Sequence, residues 1–155
     1  DIWGLKWDGR LAELLAKSGA ACCLVHNREQ SDYGDFPADF MEDMRETLRI
    51  ADAAGISRDK IMLDPGVGFA KSFAQNLSVI KHLDRLQAFG LPILLGTSRK
   101  SVIGTALSLP VDEREEGTVA TTVIGRMNGA TVFRVHDVKK NYRAMKMAEA
   151  ILAAE

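Results

Sequence analysis

Apolar residues recur along this chain in two spacings that take turns. Leu11, Leu14, Leu15 and Ser18 fall at helical intervals, and Gly19 stands where a helix C-cap belongs. The run AACCLV, Ala20 to Val25, predicts a short buried strand. Beyond the polar loop HNREQSDYGD lies a second helical stripe, Phe40, Met41, Met44, Leu48 and Ala51, ended by Gly55. KIMLD predicts the next strand; Val79, Ile80, Leu83 and Leu86 predict a third helix that stops at Gly90 and Pro92. PILLG, Pro92 to Gly96, predicts another strand. The stretch from Thr97 to Gly129 reads as a polar turn, a short helix, a loop at SLPVDEREEG and a longer helix. ATVFRV is the last predicted strand, and a final helix from Asp137 directs Val138, Tyr142, Met145, Ala148 and Leu152 inward.

Strand then helix, repeated about five times with no hairpin signal, implies parallel strands. The fold class is α/β, either a doubly wound sheet or a (β/α)8 barrel. Both gather polar chemistry at the carboxyl ends of their strands.

Composition narrows the partners. The 155 residues suit one domain, 1–155, with a core of ordinary size. A net charge of −1 lacks the basic excess of a nucleic-acid or anionic-membrane surface. No uncharged apolar run approaches the roughly 18 residues of a membrane span, and DIWGLKWDGR does not read as a secretory leader. Cys22 and Cys23 are neighbours, so on a strand they face opposite ways and do not bridge. Both are expected to pack as thiols in a reducing, cytoplasmic setting. The chain opens on Asp1 inside what reads as a structural element, so further chain is expected before it.

The predicted strand ends carry a short list of chemistry: His26 and Asn27, then Asp64, then Thr97 to Ser101, then Arg134, His136 and Asp137. LDPGVGFAKS, Leu63 to Ser72, has the glycines and the Lys-Ser pair of a phosphate loop. However, Ala70 and Pro65 occupy the positions where that loop needs glycine, and proline has no N–H to give a phosphate. A dinucleotide fingerprint fails as well, with Lys71 in its third glycine position. Lys71 is expected to be peripheral. Asp64 has two readings, a helix N-cap or an acceptor for a heterocycle with adjacent ring N–H and amino donors.

GTSRKS also reads two ways. Arg99 and Lys100 are either solvated charges or part of an anion site, since Ser101 opens an apolar helix. Arg134 and His136 alternate along the last predicted strand and so share a face, where an oligo-anion would partner both. His82 reads as a surface histidine, DEREEG as a solvated acidic turn, and no His, Cys or carboxylate spacing suits zinc.

Taken together, LDPGVGFAKS, GTSRKSVIG and FRVHDV resemble the motifs of the dihydropteroate synthases, pterin-binding enzymes of folate biosynthesis. The likeness runs from DIWGL to the final helix. It implies a (β/α)8 barrel of which this chain supplies the carboxyl-terminal β-α units. It also implies a transferase that joins 7,8-dihydropterin-6-ylmethyl diphosphate to 4-aminobenzoate, releasing pyrophosphate with the help of Mg²⁺.

By resemblance, Asp64 would anchor the pterin edge, Gly96 would let the pterin in, and Lys100 would bind its carbonyl side. Phe69 would wall the aminobenzoate site and Ser101 would receive the aminobenzoate carboxylate. Arg134 and His136 would bind the diphosphate, Arg134 also lying across the pterin. A homodimer through the last helices is implied too.

The family's first strands, its two mobile loops, the strand-three aspartate and the asparagine before Asp1 are expected outside this sequence, along with the Mg²⁺ ligand. Val25 stands where many relatives carry methionine. The 155 residues alone are therefore expected to be inactive. Two other readings stay open: a pterin-dependent methyltransferase domain, and a non-catalytic half-barrel.

Overall fold

The computed structural model describes residues 1–154. Its first helix, α1 (Gly9–Ser18), starts where the Asp8 carboxylate accepts the Arg10 N–H and ends at Gly19. The strand β1 (Cys22–Val25) and the long helix α2 (Phe36–Ala54) follow, with proline in the first turn of α2. Phe40, Met44, Leu48 and Ala51 are buried, as their spacing predicts, and Asp43 and Thr47 share their face.

A short 3-10 turn leads to β2 (Ile61–Asp64), which pairs with β1 in parallel, Leu24 opposite Leu63 and Val25 opposite Asp64. The helix α3 (Phe73–Lys81) begins at a capping box: Ser72 accepts the Gln75 N–H while the Gln75 side chain accepts the Ser72 N–H. The N-cap reading of Asp64 is thereby excluded. The third predicted helix is not continuous, because it breaks at His82 and resumes as a 3-10 segment, Leu83–Phe89.

The strands β3 (Leu94–Leu95) and β4 (Val132–Phe133) pair in parallel and are shorter than their apolar runs predict. Between them lie α4 (Ser101–Leu107) and α5 (Glu115–Met127), so the predicted loop SLPVDEREEG is helical from Glu115. The two strand pairs meet through a bridge between Leu63 and Ile93. The spatial order is thus β1, β2, β3, β4, the order of the chain.

Among the described residues four strands are present where about five units are expected from alternation. The opening DIWGL turns instead, although Asp1 holds the edge of β1: its amino group donates to the Cys23 carbonyl and its own carbonyl accepts the Val25 N–H. Arg134 and His136 lie just past β4, so their shared face does not come from strand alternation. Arg134 still donates its N–H to the Leu95 carbonyl.

The last helix, α6 (Val138–Leu152), corrects the expected inward face. Asn141 and Ala148 are buried, whereas Val138, Tyr142 and Leu152 are exposed. The cause is polar. Asn141 donates to Glu115 at 2.7 Å and accepts from Thr122 at 2.8 Å, and these bonds turn the helix so that its apolar stripe faces out. Leu14 of α1 is exposed as well.

Candidate active site

Asp64 ends β2 almost completely buried, and one of its oxygens accepts the Gly66 N–H at 2.7 Å. The other oxygen takes no hydrogen bond from any described residue. Burial pushes the carboxyl upward, against the pull of Lys100, Arg134 and Lys71. A buried carboxylate with a free oxygen, surrounded by cations that do not pair with it, is suited to accept from a ligand.

The chain then makes an arc, Pro65 to Ala70, with Gly66, Gly68 and Ala70 all in the left-handed region. Gly66 is required on a second count, because a Cβ there would run into the His26 carbonyl. Asn76 ties the arc to α3 by accepting the Gly68 N–H and donating to the Lys71 and Ser72 carbonyls.

Phe69 projects from the arc into a cavity of about 410 Å³ lined also by Gly96, Ser98, Lys100, Arg134, Val135 and His136. Five of the seven sequence-predicted site residues thus meet in one cavity. Lys100 donates to the Val67 carbonyl and lies 4.9 Å from the Phe69 ring centroid. Burial lowers its basicity, offset in part by Asp64. Ser98 joins the two loops across the mouth: its hydroxyl is 2.8 Å from His136 Nδ1 and accepts the His136 N–H at 3.1 Å. Arg134 is exposed there and makes no ion pair with any described residue. Asp64 and Ser101 do not line the cavity; Ser101 is exposed at the start of α4, a helix of seven residues.

Two residues escaped the sequence reading. Lys71 is not peripheral. Its ammonium donates to the carbonyls of Gly66 and Phe69, both at 3.0 Å, and lies 2.8 Å from His26 Nδ1. Burial brings Lys71 down to about 7.

Behind it, His26 Nε2 is 2.9 Å from Asp43, which Arg28 also grips with two nitrogens. Burial works to raise Asp43, but the His26 and Arg28 hydrogen bonds hold it well below the usual carboxylate range. Its signal was visible, since Asp43 interrupts the apolar stripe of α2 one position before Met44.

The resemblance implies Mg²⁺, and these residues do not fit it. Among the described residues no three His, Cys, Asp or Glu converge, and the mouth sets one carboxylate among cations.

The family described as "Pterin binding enzyme" matches residues 1–136. The dihydropteroate synthase of Clostridium beijerinckii is 52% identical over 153 residues, 98% of this chain and 57% of that protein. That of Bacillus subtilis is 44% identical over 152 residues, 98% of this chain and 53% of that protein.

Among solved structures, the dihydropteroate synthase of Clostridium difficile, crystallised with pteroic acid, superposes with a TM-score of 0.95 at 42% identity, covering 99% of this chain and 59% of its own. The Yersinia pestis enzyme with a sulfonamide drug gives 0.93 at 39%, covering 100% and 59%. The chain spans about half the length of the curated relatives it matches. Its parallel strands and intervening helices form part of a TIM barrel. The chain belongs to the pterin binding enzyme family.

Proposed function

We propose that these residues form the pterin side of a dihydropteroate synthase, which condenses 7,8-dihydropterin-6-ylmethyl diphosphate with 4-aminobenzoate and releases pyrophosphate. The observation that carries this reading is the free oxygen of buried Asp64 beneath a cationic mouth. The amino group and ring N–H of a pterin offer two adjacent donors to that carboxylate. Lys100 sits beside the pterin carbonyl, and Gly96 leaves room for Arg134 to lie flat over the ring.

Arg134 and His136 receive the diphosphate as its C–O bond breaks and its charge grows. The arylamine nitrogen attacks the exposed methylene, held in line by Phe69 and by Ser101 at its carboxylate. No side chain acts as a covalent nucleophile. Mg²⁺ would add charge stabilisation at the diphosphate from ligands outside this sequence.

Two further readings accompany this one. What supports a homodimer is the outward apolar stripe of α6, with Val138, Tyr142, Ile151 and Leu152 exposed. A cytoplasmic setting rests on the free thiols of Cys22 and Cys23.

The test is an assay of pyrophosphate release by the full-length protein that carries this sequence. Release that requires both the pterin diphosphate and 4-aminobenzoate is expected; release independent of the arylamine, or none, sinks the reading. The 155 residues assayed alone are expected not to turn over.

A further inference from the structure

Lys71 takes no part in the chemistry above, yet it is the best-connected cation of the site. Its nitrogen faces four acceptors: the carbonyls of Gly66 and Phe69, the His26 carbonyl at 3.4 Å, and His26 Nδ1. The tautomer follows from the partner behind it. Asp43 accepts at His26 Nε2, so that nitrogen carries the hydrogen and Nδ1 is free to accept from Lys71. The arc of Pro65 to Ala70 therefore closes around an ammonium group that is anchored through an imidazole to a carboxylate on α2.

That arc is costly to hold by itself. Ala70 sits at φ 42, a region where the Cβ of an L residue crowds the following carbonyl oxygen. Its two working parts are the Gly66 N–H, which fixes one oxygen of Asp64, and the Phe69 ring, which walls the cavity. Lys71 binds the carbonyls of these same two residues.

We infer that Lys71 is a positioning residue: by drawing the Gly66 and Phe69 carbonyls onto one nitrogen, it sets the arc that aims Asp64 and Phe69 at the ligand. The inference rests on the pterin reading of that site. It also gives the arc a dependence on proton concentration. An ammonium group has three hydrogens for its four acceptors, whereas the neutral amine has two and no charge. Charged and titratable groups face Lys71 from every side: Asp64 on β2, His26 just past β1, Asp43 on α2 and Lys100 before α4. Arg28 lies behind Asp43, and Tyr33 donates to the Ala70 carbonyl. Burial brings Lys71 itself down to about 7, and the two variants that lack its ammonium separate its contribution from theirs.

The test compares Lys71→Met and Lys71→Gln with the wild type in the full-length protein. Amide hydrogen exchange at residues 66–70 is read first. Loss of the ammonium is expected to speed it about tenfold in both variants at pH 6.5 while exchange in α2 and α3 stays unchanged. Binding of pterin-6-carboxylate, read by calorimetry, is expected to weaken by about tenfold. Thermal stability should hold or rise in the methionine variant, because a buried lysine is costly. In the wild type, arc protection and affinity should both decline from pH 6 to pH 8 once intrinsic exchange is corrected, and both variants should be flat.

Unchanged exchange at 66–70 in either variant overturns the inference, as does unchanged affinity with faster exchange. If wild type fails to bind the probe but the arc still loosens in the variants, the arc's dependence on Lys71 stands and the pterin reading alone falls.

Discussion

Arg134 lies against the bare backbone of Gly96: a Cβ placed there would meet Nη2 at 2.8 Å and Nε at 3.1 Å. The absence of a side chain just after β3 thus decides where the guanidinium just past β4 rests. Gly96→Ala is expected to push Arg134 out of the mouth with little loss of fold, since a methyl group at a strand end adds no buried polar group. Steady-state kinetics should show turnover falling about tenfold or more, with melting temperature nearly unchanged. A variant with normal turnover would separate Arg134 from the reaction.

Asp64→Asn keeps the shape of the acceptor and removes its charge. The amide can still accept the Gly66 N–H, but it opposes a donor to the pterin edge. Affinity for pterin-6-carboxylate should drop by about 1.5–3 kcal/mol, the worth of a hydrogen bond to a charged group. Stability should not fall, because the carboxylate is buried without an ion pair. Calorimetry and thermal melts on the same sample check both halves.

Acid stability depends on His26. Burial lowers it from an ordinary 6.5 to about 4. Between those values the unfolded chain binds a proton that the folded chain refuses, so stability falls as pH is lowered through that window. The full loss by pH 4 is roughly 3 kcal/mol. Asp43, held low by His26 and Arg28, contributes stability that disappears only at still more acidic pH. Melting His26→Gln and wild type from pH 7 to pH 4 should show the variant losing the steeper part of the slope.

Asn141→Leu tests the polar core between α5 and α6. It leaves the buried Glu115 and Thr122 without their partner, at a cost of about 2–3 kcal/mol. Glu115→Gln combined with Asn141→Leu should recover part of that loss, because the stranded group no longer carries charge. Denaturant unfolding of the single and double variants reads the difference.

Much of this site was legible because parallel strands display chemistry at their ends. Asp64, Arg134 and His136 directly follow apolar residues, Lys100 stands four positions past PILLG, and an apolar run is easy to see. Arg134 and His136 were placed together for a different reason than the true one. The strand is two residues long, its start disturbed where Thr131 and Val132 both donate to the Ile93 carbonyl, and Ser98 rather than alternation fixes His136. Lys71 was illegible for a physical reason: its protein partners are mostly backbone carbonyls, which no pattern of side chains reveals. The facing of α6 was hidden because Asn141 is satisfied by residues of another helix, and helical periodicity counts only its own.

The bridge between Leu63 and Ile93 has a mechanical consequence. It is the seam of the wall, where the β1–β2 pair meets the β3–β4 pair, reinforced by the Leu63 N–H on the Pro92 carbonyl at 2.9 Å. Asp64 hangs one residue past the seam on one side, and Lys100 and Arg134 stand on the other. Carboxylate and cations are therefore linked through the sheet by the backbone of Leu63, Pro92 and Ile93. The spacing between carboxylate and cations is thus set by the backbone beneath the mouth, and no ion pair among the described residues spans it.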